Sequence, residues 1–150
     1  MTIRHDAREK PITGPVLVAV DRCIQICSAR AEACTLAARE VSDRELKELL
    51  FDLAEERGLQ AVALRAVVEP YGGGNPSGIR MRQWHEARDR SDATILDECM
   101  AGEKATLADF EVTFTWAPLS AMPMDVRALM LSSYGATLRT LSELRRRVRA

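Results

Sequence analysis

The feature that most constrains the fold is an unbroken alternation of three- and four-residue spacings between apolar residues near the N-terminus. This row consists of Leu17, Val20, Ile24, Cys27, Ala31, Cys34, Ala38 and Val41. Such spacing keeps one side of an α-helix continuously apolar. Gly14-Pro15 precedes the row, and proline is favoured in the first turn of a helix. The pattern predicts a helix over residues 15–41.

A second helix is predicted over residues 43–69. Ser42 and Glu45 have the spacing of a capping box, in which each side chain satisfies a free backbone N–H. The row of this helix, with two polar members, is Leu46, Leu49, Leu53, Glu56, Gln60, Ala63 and Val67. One interpretation buries Glu56, which then needs a partner or a cation. The other, which we favour, shifts the row by one residue, so that Leu50 and Ala54 point inward and Glu56 is half exposed.

Two further helices are predicted over residues 79–116 and 123–148. Trp84 is an apolar anchor in the first of them, and Ser91-Asp92 can be a break with a new N-cap, which leaves one helix or two. The later row of this segment is Leu96, Cys99, Glu103, Leu107, Phe110 and Phe114, again with one acid. Pro123 suits the first turn of the last helix. Its inner row is Val126, Met130, Tyr134, Thr137, Leu141, Leu144 and Val148.

Together these elements predict an all-α, up-down four-helix bundle in a single domain over residues 15–150, after a flexible arm at residues 1–14. The chain of 150 residues is long enough for one domain with a core, and its 5% aromatic content favours helices over sheets. Residues 70–78 are rich in glycine and proline. They are predicted to form a connector, because no strand precedes them and no Lys-Ser/Thr pair follows, as a phosphate-binding loop requires.

Composition and charge exclude several classes of function. A net charge of -1 argues against broad nucleic-acid binding. No apolar run approaches the roughly 20 residues of a membrane span, and no signal segment follows the N-terminus, so a cytoplasmic location is expected. In a reducing compartment the cysteines, which are Cys23, Cys27, Cys34 and Cys99, are expected to remain small apolar thiols. Cys23 and Cys27 share one helix face, where a soft metal ion is an alternative.

Several motifs follow one another in a recognisable order: Glu56-Arg57, Gly72-Gly73-Gly74 with Pro76, Trp84, and the stretch from Cys99 to Glu103. In this order they resemble a group of bacterial proteins known only as a domain of unknown function in the ferritin-like superfamily of four-helix bundles. The resemblance covers most of residues 16–148. It implies a ferritin-like fold and no defined activity.

Ferritin-like proteins with a di-iron site use a Glu from each of two helices and a Glu-x-x-His motif from each of the other two. Glu103 matches a single-Glu position. Leu59, however, stands where a histidine should follow Glu56, and the two histidines, His5 and His85, lie elsewhere. Oxygen-activating di-iron chemistry and ferroxidase activity are therefore not expected.

Our leading hypothesis is a non-enzymatic binding or assembly module that needs no cofactor and acts as a homodimer. Phe110, Phe114 and Trp116 lie beside a proline-rich break, where they can cover a partner. In this hypothesis Glu56 and Glu103 are structural, with Gln60, Tyr134, a water or Arg57 as hydrogen-bond partners.

The rival hypothesis is a stress- or redox-related metal-binding protein. Glu56 and Glu103 would bind a divalent ion, assisted by Cys27 or Cys99, and this mixed ligand set suits zinc better than iron oxidation chemistry. Two weaker alternatives are a small-ligand pocket beside the small residues in the middle of the first helix, and general acid/base catalysis by the two acids.

Overall fold

A computed structural model describes residues 12–74 and 90–149 of the chain. These residues form four α-helices: α1 (Gly14–Glu40), α2 (Arg44–Val68), α3 (Asp92–Trp116) and α4 (Met124–Arg149). Short 3-10 turns follow α2 (Glu69–Tyr71) and precede α4 (Leu119–Ala121). The prediction of an all-α bundle is confirmed. Residues 1–11 of the predicted arm, with His5, and the segment 75–89, with Pro76, Trp84, His85 and the predicted start of the third helix, lie outside the described residues. Gly14, the last residue of the predicted arm, begins α1.

The helix starts follow the sequence with one correction. Ser91 caps α3 by accepting a hydrogen bond from the Thr94 N–H at 3.1 Å, which confirms a new N-cap at Ser91-Asp92. The cap of α2 is Asp43 rather than Ser42, because the Asp43 carboxylate accepts the Leu46 N–H at 2.9 Å. The backbone N–H of Ser42, which Glu45 would satisfy in a capping box, donates instead to Asp92 at 2.8 Å.

The four helices form two antiparallel hairpins, α1 with α2 and α3 with α4. At one end, the start of α1 packs with the end of α2, the end of α3 and the start of α4, through Val16, Val68, Ala117 and Val126. At the other end, Asp92 accepts hydrogen bonds from the turn between α1 and α2. The predicted up-down order therefore holds within each hairpin, whereas α2 and α3 run in the same direction. This is the connectivity of ferritin-like bundles with one long connection.

The buried side chains form two apolar layers with a charged layer between them. The first apolar layer is centred on Val20, Ile24, Leu64, Phe110, Val126 and Met130. The second is centred on Ala37, Ala38, Leu50, Ile95, Leu96 and Leu144. Between them lie Cys34, Leu53 and Ala54, together with the buried charges of Arg30, Arg57 and Glu103.

The predicted helix rows are right in places and shifted in others. In α2 the buried row after Leu53 is displaced by one residue and consists of Ala54, Arg57, Ala61, Leu64 and Val68. Leu50 and Ala54 are buried and Glu56 is exposed, so the interpretation that we favoured is confirmed and the burial of Glu56 is wrong. Helix α1 packs against both α2 and α3, which explains why Val16, Cys23, Ile26, Ala33 and Ala37 are buried outside its predicted row.

The aromatic group that we expected to cover a partner packs largely on its own core. Phe110 is fully buried and Phe114 is partly buried, and their rings meet Tyr134 at centroid distances of 6.4 and 5.8 Å. Trp116 remains exposed by 41%. In the described ranges, none of the helices combines the length and the apolar character needed to cross a membrane.

Candidate functional site

The centre of the bundle holds one carboxylate between two guanidinium groups, each from a different helix. Glu103 of α3 is fully buried, as are the end of Arg57 from α2 and most of Arg30 from α1. Arg30 Nε donates to Glu103 Oε1 at 3.0 Å, and Arg57 Nη2 donates to Glu103 Oε2 at 2.8 Å. Both carboxylate oxygens therefore accept charge-assisted hydrogen bonds. We call these three residues the Arg-Glu-Arg cluster.

Three of the remaining guanidinium nitrogen interactions of Arg30 and Arg57 are with neutral side chains, and a fourth is with a backbone carbonyl. Arg30 Nη2 donates to the Cys34 sulfur at 3.7 Å and to the Cys99 carbonyl at 3.4 Å. Arg57 donates to the Gln60 side-chain oxygen and to the Thr140 hydroxyl, both at 3.1 Å. Arg57 Nε is buried without a hydrogen-bond partner among the described residues. Through these hydrogen bonds Arg57 connects α2 to α3 and α4.

Gly102 makes the approach of Arg30 possible. A Cβ at this position would lie 2.2 Å from Arg30 Nη1 and 2.6 Å from Arg30 Cζ. Any side chain there would push the guanidinium away from Glu103. The glycine that directly precedes the acid is therefore part of the site, because it leaves the space that the arginine fills.

The cysteines around the cluster are held as neutral thiols. Burial raises the pKa of Cys34 to about 11, and it raises the pKa values of Cys27 and Cys99 to about 12. Burial also raises the pKa of Cys23 far above its ordinary value. The thiolate is the form that binds metals and reacts as a nucleophile. Two cations and one carboxylate therefore leave the cluster with a net positive charge that no neighbouring thiolate offsets at neutral pH.

Burial alone would lower the pKa of the Arg30 guanidinium, but the neighbouring Cys34 and Glu103 raise it by more. The pKa of Arg30 consequently lies above its ordinary value. Arg30 therefore stays charged throughout the physiological range, and the cluster is ionic.

Among the described residues, those predicted as metal ligands do not come together as one group. Glu103 contacts Arg30 and Arg57, whereas Glu56 is exposed and lines a cleft between α2 and α4. Cys27 is buried with its sulfur 3.9 Å from the Gln60 oxygen, and Cys99 is buried in the second apolar layer. Across residues 12–74 and 90–149, no three His, Cys, Asp or Glu side chains are grouped so that they could hold a metal ion.

The part of the interior that the structure describes also does not fit a di-iron centre. Such a centre needs several carboxylates and imidazoles that converge in the bundle. Here the interior acid Glu103 already has a cationic donor on each oxygen, and guanidinium groups occupy the space beside it. Cationic groups at this position repel a metal ion rather than bind it.

Sequence reasoning missed Arg30 and the burial of Arg57. The signal for Arg57 was present, because it stands in the alternative row of α2 between Ala54 and Ala61, at the spacing of an inward position. The suggestion that Arg57 pairs with one of the two acids is confirmed by its contact with Glu103. The suggested partners Gln60 and Tyr134 instead bind Arg57 and Glu111, respectively.

No protein-family model matches the sequence, and no curated protein matches it. Among solved structures, the chain is similar to the crystal structure of a two-domain protein from Anabaena variabilis that contains DJ-1/ThiJ/PfpI-like and ferritin-like domains. The TM-score is 0.71 at 15% sequence identity, over 99% of this chain and 43% of that chain. The chain therefore has a ferritin-like four-helix fold, and it spans less than half the length of that two-domain protein.

Proposed function

We propose that the chain is a non-enzymatic ferritin-like assembly module that acts as a homodimer in the cytoplasm, and that it belongs to the bacterial ferritin-like group which its motifs resemble. The Arg-Glu-Arg cluster supports the non-enzymatic part of the proposal. Its acid is fully engaged by cations, and the thiols around it are buried and protonated. Within residues 12–74 and 90–149, the interior therefore offers neither a free general base nor an ionised nucleophile.

The observation that carries the assembly is a second apolar stripe on the outer face of α4. It consists of Met124, Ala128, Leu131, Gly135 and Leu138, spaced four, three, four and three residues apart. Met124 is 83% exposed, Leu131 46% and Leu138 43%. An outer helix face is normally polar. A second row with the spacing of helix–helix packing indicates a second helix partner.

The composition of this stripe favours a second copy of the same helix. It contains no charged residue, and Ala128 is small enough for another backbone to approach closely, whereas at Gly135 the Arg139 guanidinium, with Nη1 3.5 Å from the position of a Cβ, must turn aside. Most oligomers of soluble proteins are symmetric dimers in which the same patch is used on both subunits. An antiparallel pair of α4 helices would place Met124 of one subunit beside Leu138 of the other and would remove all three large apolar side chains from water.

Size-exclusion chromatography with light scattering tests the proposal at micromolar protein concentration. We expect the mass of a dimer for the wild type and the mass of a monomer for the double variant Leu131→Lys, Leu138→Lys. The matched control is Leu59→Lys, Val62→Lys, which places the same charges on an equally apolar exposed stretch of α2, where both residues are 62% exposed. A monomeric wild type, or equal dissociation in both double variants, contradicts the proposal.

A further inference from the structure

A cleft of about 400 Å³ lies between α2 and α4, on the side of the bundle that Arg57 and Thr140 connect. This volume is near the lower end of the roughly 300–1,000 Å³ of small-molecule sites. The deeper lining is apolar and consists of Leu49, Leu53 and Leu144, beside the half-buried Thr140. The rim is exposed and polar. An apolar floor below a few polar groups is the usual composition of a ligand site.

The two walls of the cleft carry opposite charges. The α2 wall presents Asp52 and Glu56, one turn apart, and the α4 wall presents Arg139. None of these three side chains forms an ion pair within the described part of the chain. By contrast, Arg146, also on the α4 wall, is paired with Glu143. The walls thus leave an anionic side and a cationic side that face the same apolar floor.

Thr140 connects this cleft to the Arg-Glu-Arg cluster. Its hydroxyl oxygen accepts a hydrogen bond from Arg57 Nη2, and its own O–H, for which the described residues provide no acceptor, can donate to a group in the cleft. The net positive charge of the cluster lies on the interior side of this hydroxyl. An anionic group placed beside Thr140 and Arg139 is therefore favoured by a hydrogen bond and by two sources of positive charge.

We propose that the cleft binds a small zwitterion whose ammonium and carboxylate groups are separated by an apolar body. The ammonium group contacts Asp52 and Glu56, the carboxylate contacts Arg139 and the Thr140 hydroxyl, and the apolar body covers Leu49, Leu53 and Leu144. This site does not rest on the proposed dimer, because the stripe on α4 and the lining of the cleft share no residue, although they meet where Arg139 Nη1 lies 3.5 Å from the position of a Cβ on Gly135. Failure of either proposal leaves the other unaffected.

The test uses three compounds with six carbon atoms each: 6-aminohexanoate, hexanoate and hexylamine. Each is titrated into the full chain, and binding is followed by backbone amide chemical shifts. We expect saturable shifts at residues of the cleft with 6-aminohexanoate, and a Kd at least about fivefold weaker for each compound that lacks one charge. Hexanoate or hexylamine binding as tightly as the zwitterion overturns the proposal, and so does the absence of saturable binding by 6-aminohexanoate.

Amino-acid substitutions test which side chain contacts the ammonium group of the ligand and which contacts its carboxylate. Arg139→Gln and Glu56→Gln lie on exposed positions, and each is expected to weaken 6-aminohexanoate binding about fivefold. Arg139→Gln should leave hexylamine binding unchanged, and Glu56→Gln should leave hexanoate binding unchanged. The matched controls are Arg145→Gln and Glu55→Gln, which are exposed neighbours outside the cleft. Equal effects of the cleft variants and their controls contradict the assignment.

Discussion

Glu103 and Phe110 stand on the same row of α3, two turns apart, and both are fully buried. Glu103 meets Arg30 and Arg57 in the charged layer, whereas Phe110 meets Phe114 and Tyr134 in the first apolar layer. The two positions have the same backbone setting and the same burial. They differ in what surrounds them, and this difference determines how each one contributes to stability.

In the apolar layer, a side chain contributes mainly through the area it removes from water, and its partners are replaceable by others of similar shape. In the charged layer, each contribution depends on the partners. The energetic cost of burying the carboxylate is offset because two cations bind it, and the cost of burying the cations is offset because they bind the carboxylate. The apolar layer should therefore respond to changes of volume, and the charged layer should respond to changes of charge and hydrogen-bonding geometry.

The largest expected effect comes from Glu103→Ala, which leaves two guanidinium groups buried without their carboxylate. We expect the free energy of unfolding to fall by about 3–5 kcal/mol, as measured by urea denaturation. The control is the triple variant Arg30→Met, Arg57→Met, Glu103→Leu, which removes all three charges and should lose far less stability or none. A loss below about 1 kcal/mol for Glu103→Ala would mean that water reaches the cluster and that the comparison fails.

Conservative substitutions sharpen the same contrast. Arg57→Lys keeps the charge, but one ammonium cannot reach Glu103, Gln60 and Thr140 in the geometry of the guanidinium, so we expect a loss of about 2–3 kcal/mol. Phe110→Leu keeps an apolar group and should cost about 1–1.5 kcal/mol. Both losses are to be measured by urea denaturation under one set of conditions. The reverse order would show that the charged layer tolerates changes of geometry better than the apolar layer does.

The buried thiols beside the charged layer make the free energy of unfolding depend on pH in the alkaline range. The pKa of Cys34 is raised from 9.0 to about 11 in the folded chain, so its contribution is complete below about pH 9 and is lost as the pH rises toward 11. Cys34→Ala should therefore reduce the fall in unfolding free energy between pH 9 and pH 10 by about 1 kcal/mol. Urea denaturation at both pH values measures this difference.

The control for the thiol is Ile26→Val, which truncates another buried side chain of α1 and removes no titrating group. It should lower the unfolding free energy by a similar amount at both pH values. If Cys34→Ala changes the pH dependence no more than Ile26→Val does, Cys34 titrates in the folded chain as it does in the unfolded chain, and the thiol is not protected by burial.

Much of the fold was predictable because helix periodicity is a local property. The row of α1 and the N-cap at Ser91 follow from residues that are close in sequence. The N-cap is found where expected, and the row members from Val20 to Ala38 are buried except Ala31, which is half-buried. The prediction that Ser42 and Glu45 form a capping box at the start of α2 is wrong for a non-local reason. Asp92, at the start of another helix, takes the N–H groups of Ser42 and Asp43, and no local pattern indicates that contact.

The candidate site was predictable only in part. Glu103 stands out as an acid in an apolar row, and its burial is confirmed. Arg30 could not be identified in the same way, because its burial depends on the space above Gly102 on α3, which only the packed bundle defines. Glu56 was singled out because a one-residue shift in a helix row is small in sequence but turns the side chain by about 100°, from the interior to the surface.

The smallest expected effect is that of chelation, and it separates the ionic cluster from the rival metal hypothesis. Because Arg30 and Arg57 already satisfy both oxygens of Glu103, EDTA should shift the thermal unfolding midpoint by less than about 1 °C. Elemental analysis of protein purified without chelator or a His tag, alongside the variant Glu56→Ala, Glu103→Ala, provides a second measurement. Near-stoichiometric metal that is lost in this variant, or a midpoint that falls in EDTA and is restored by zinc, would require the guanidinium groups to leave the carboxylate. The charged layer would then be a metal site that the arginines close when it is empty.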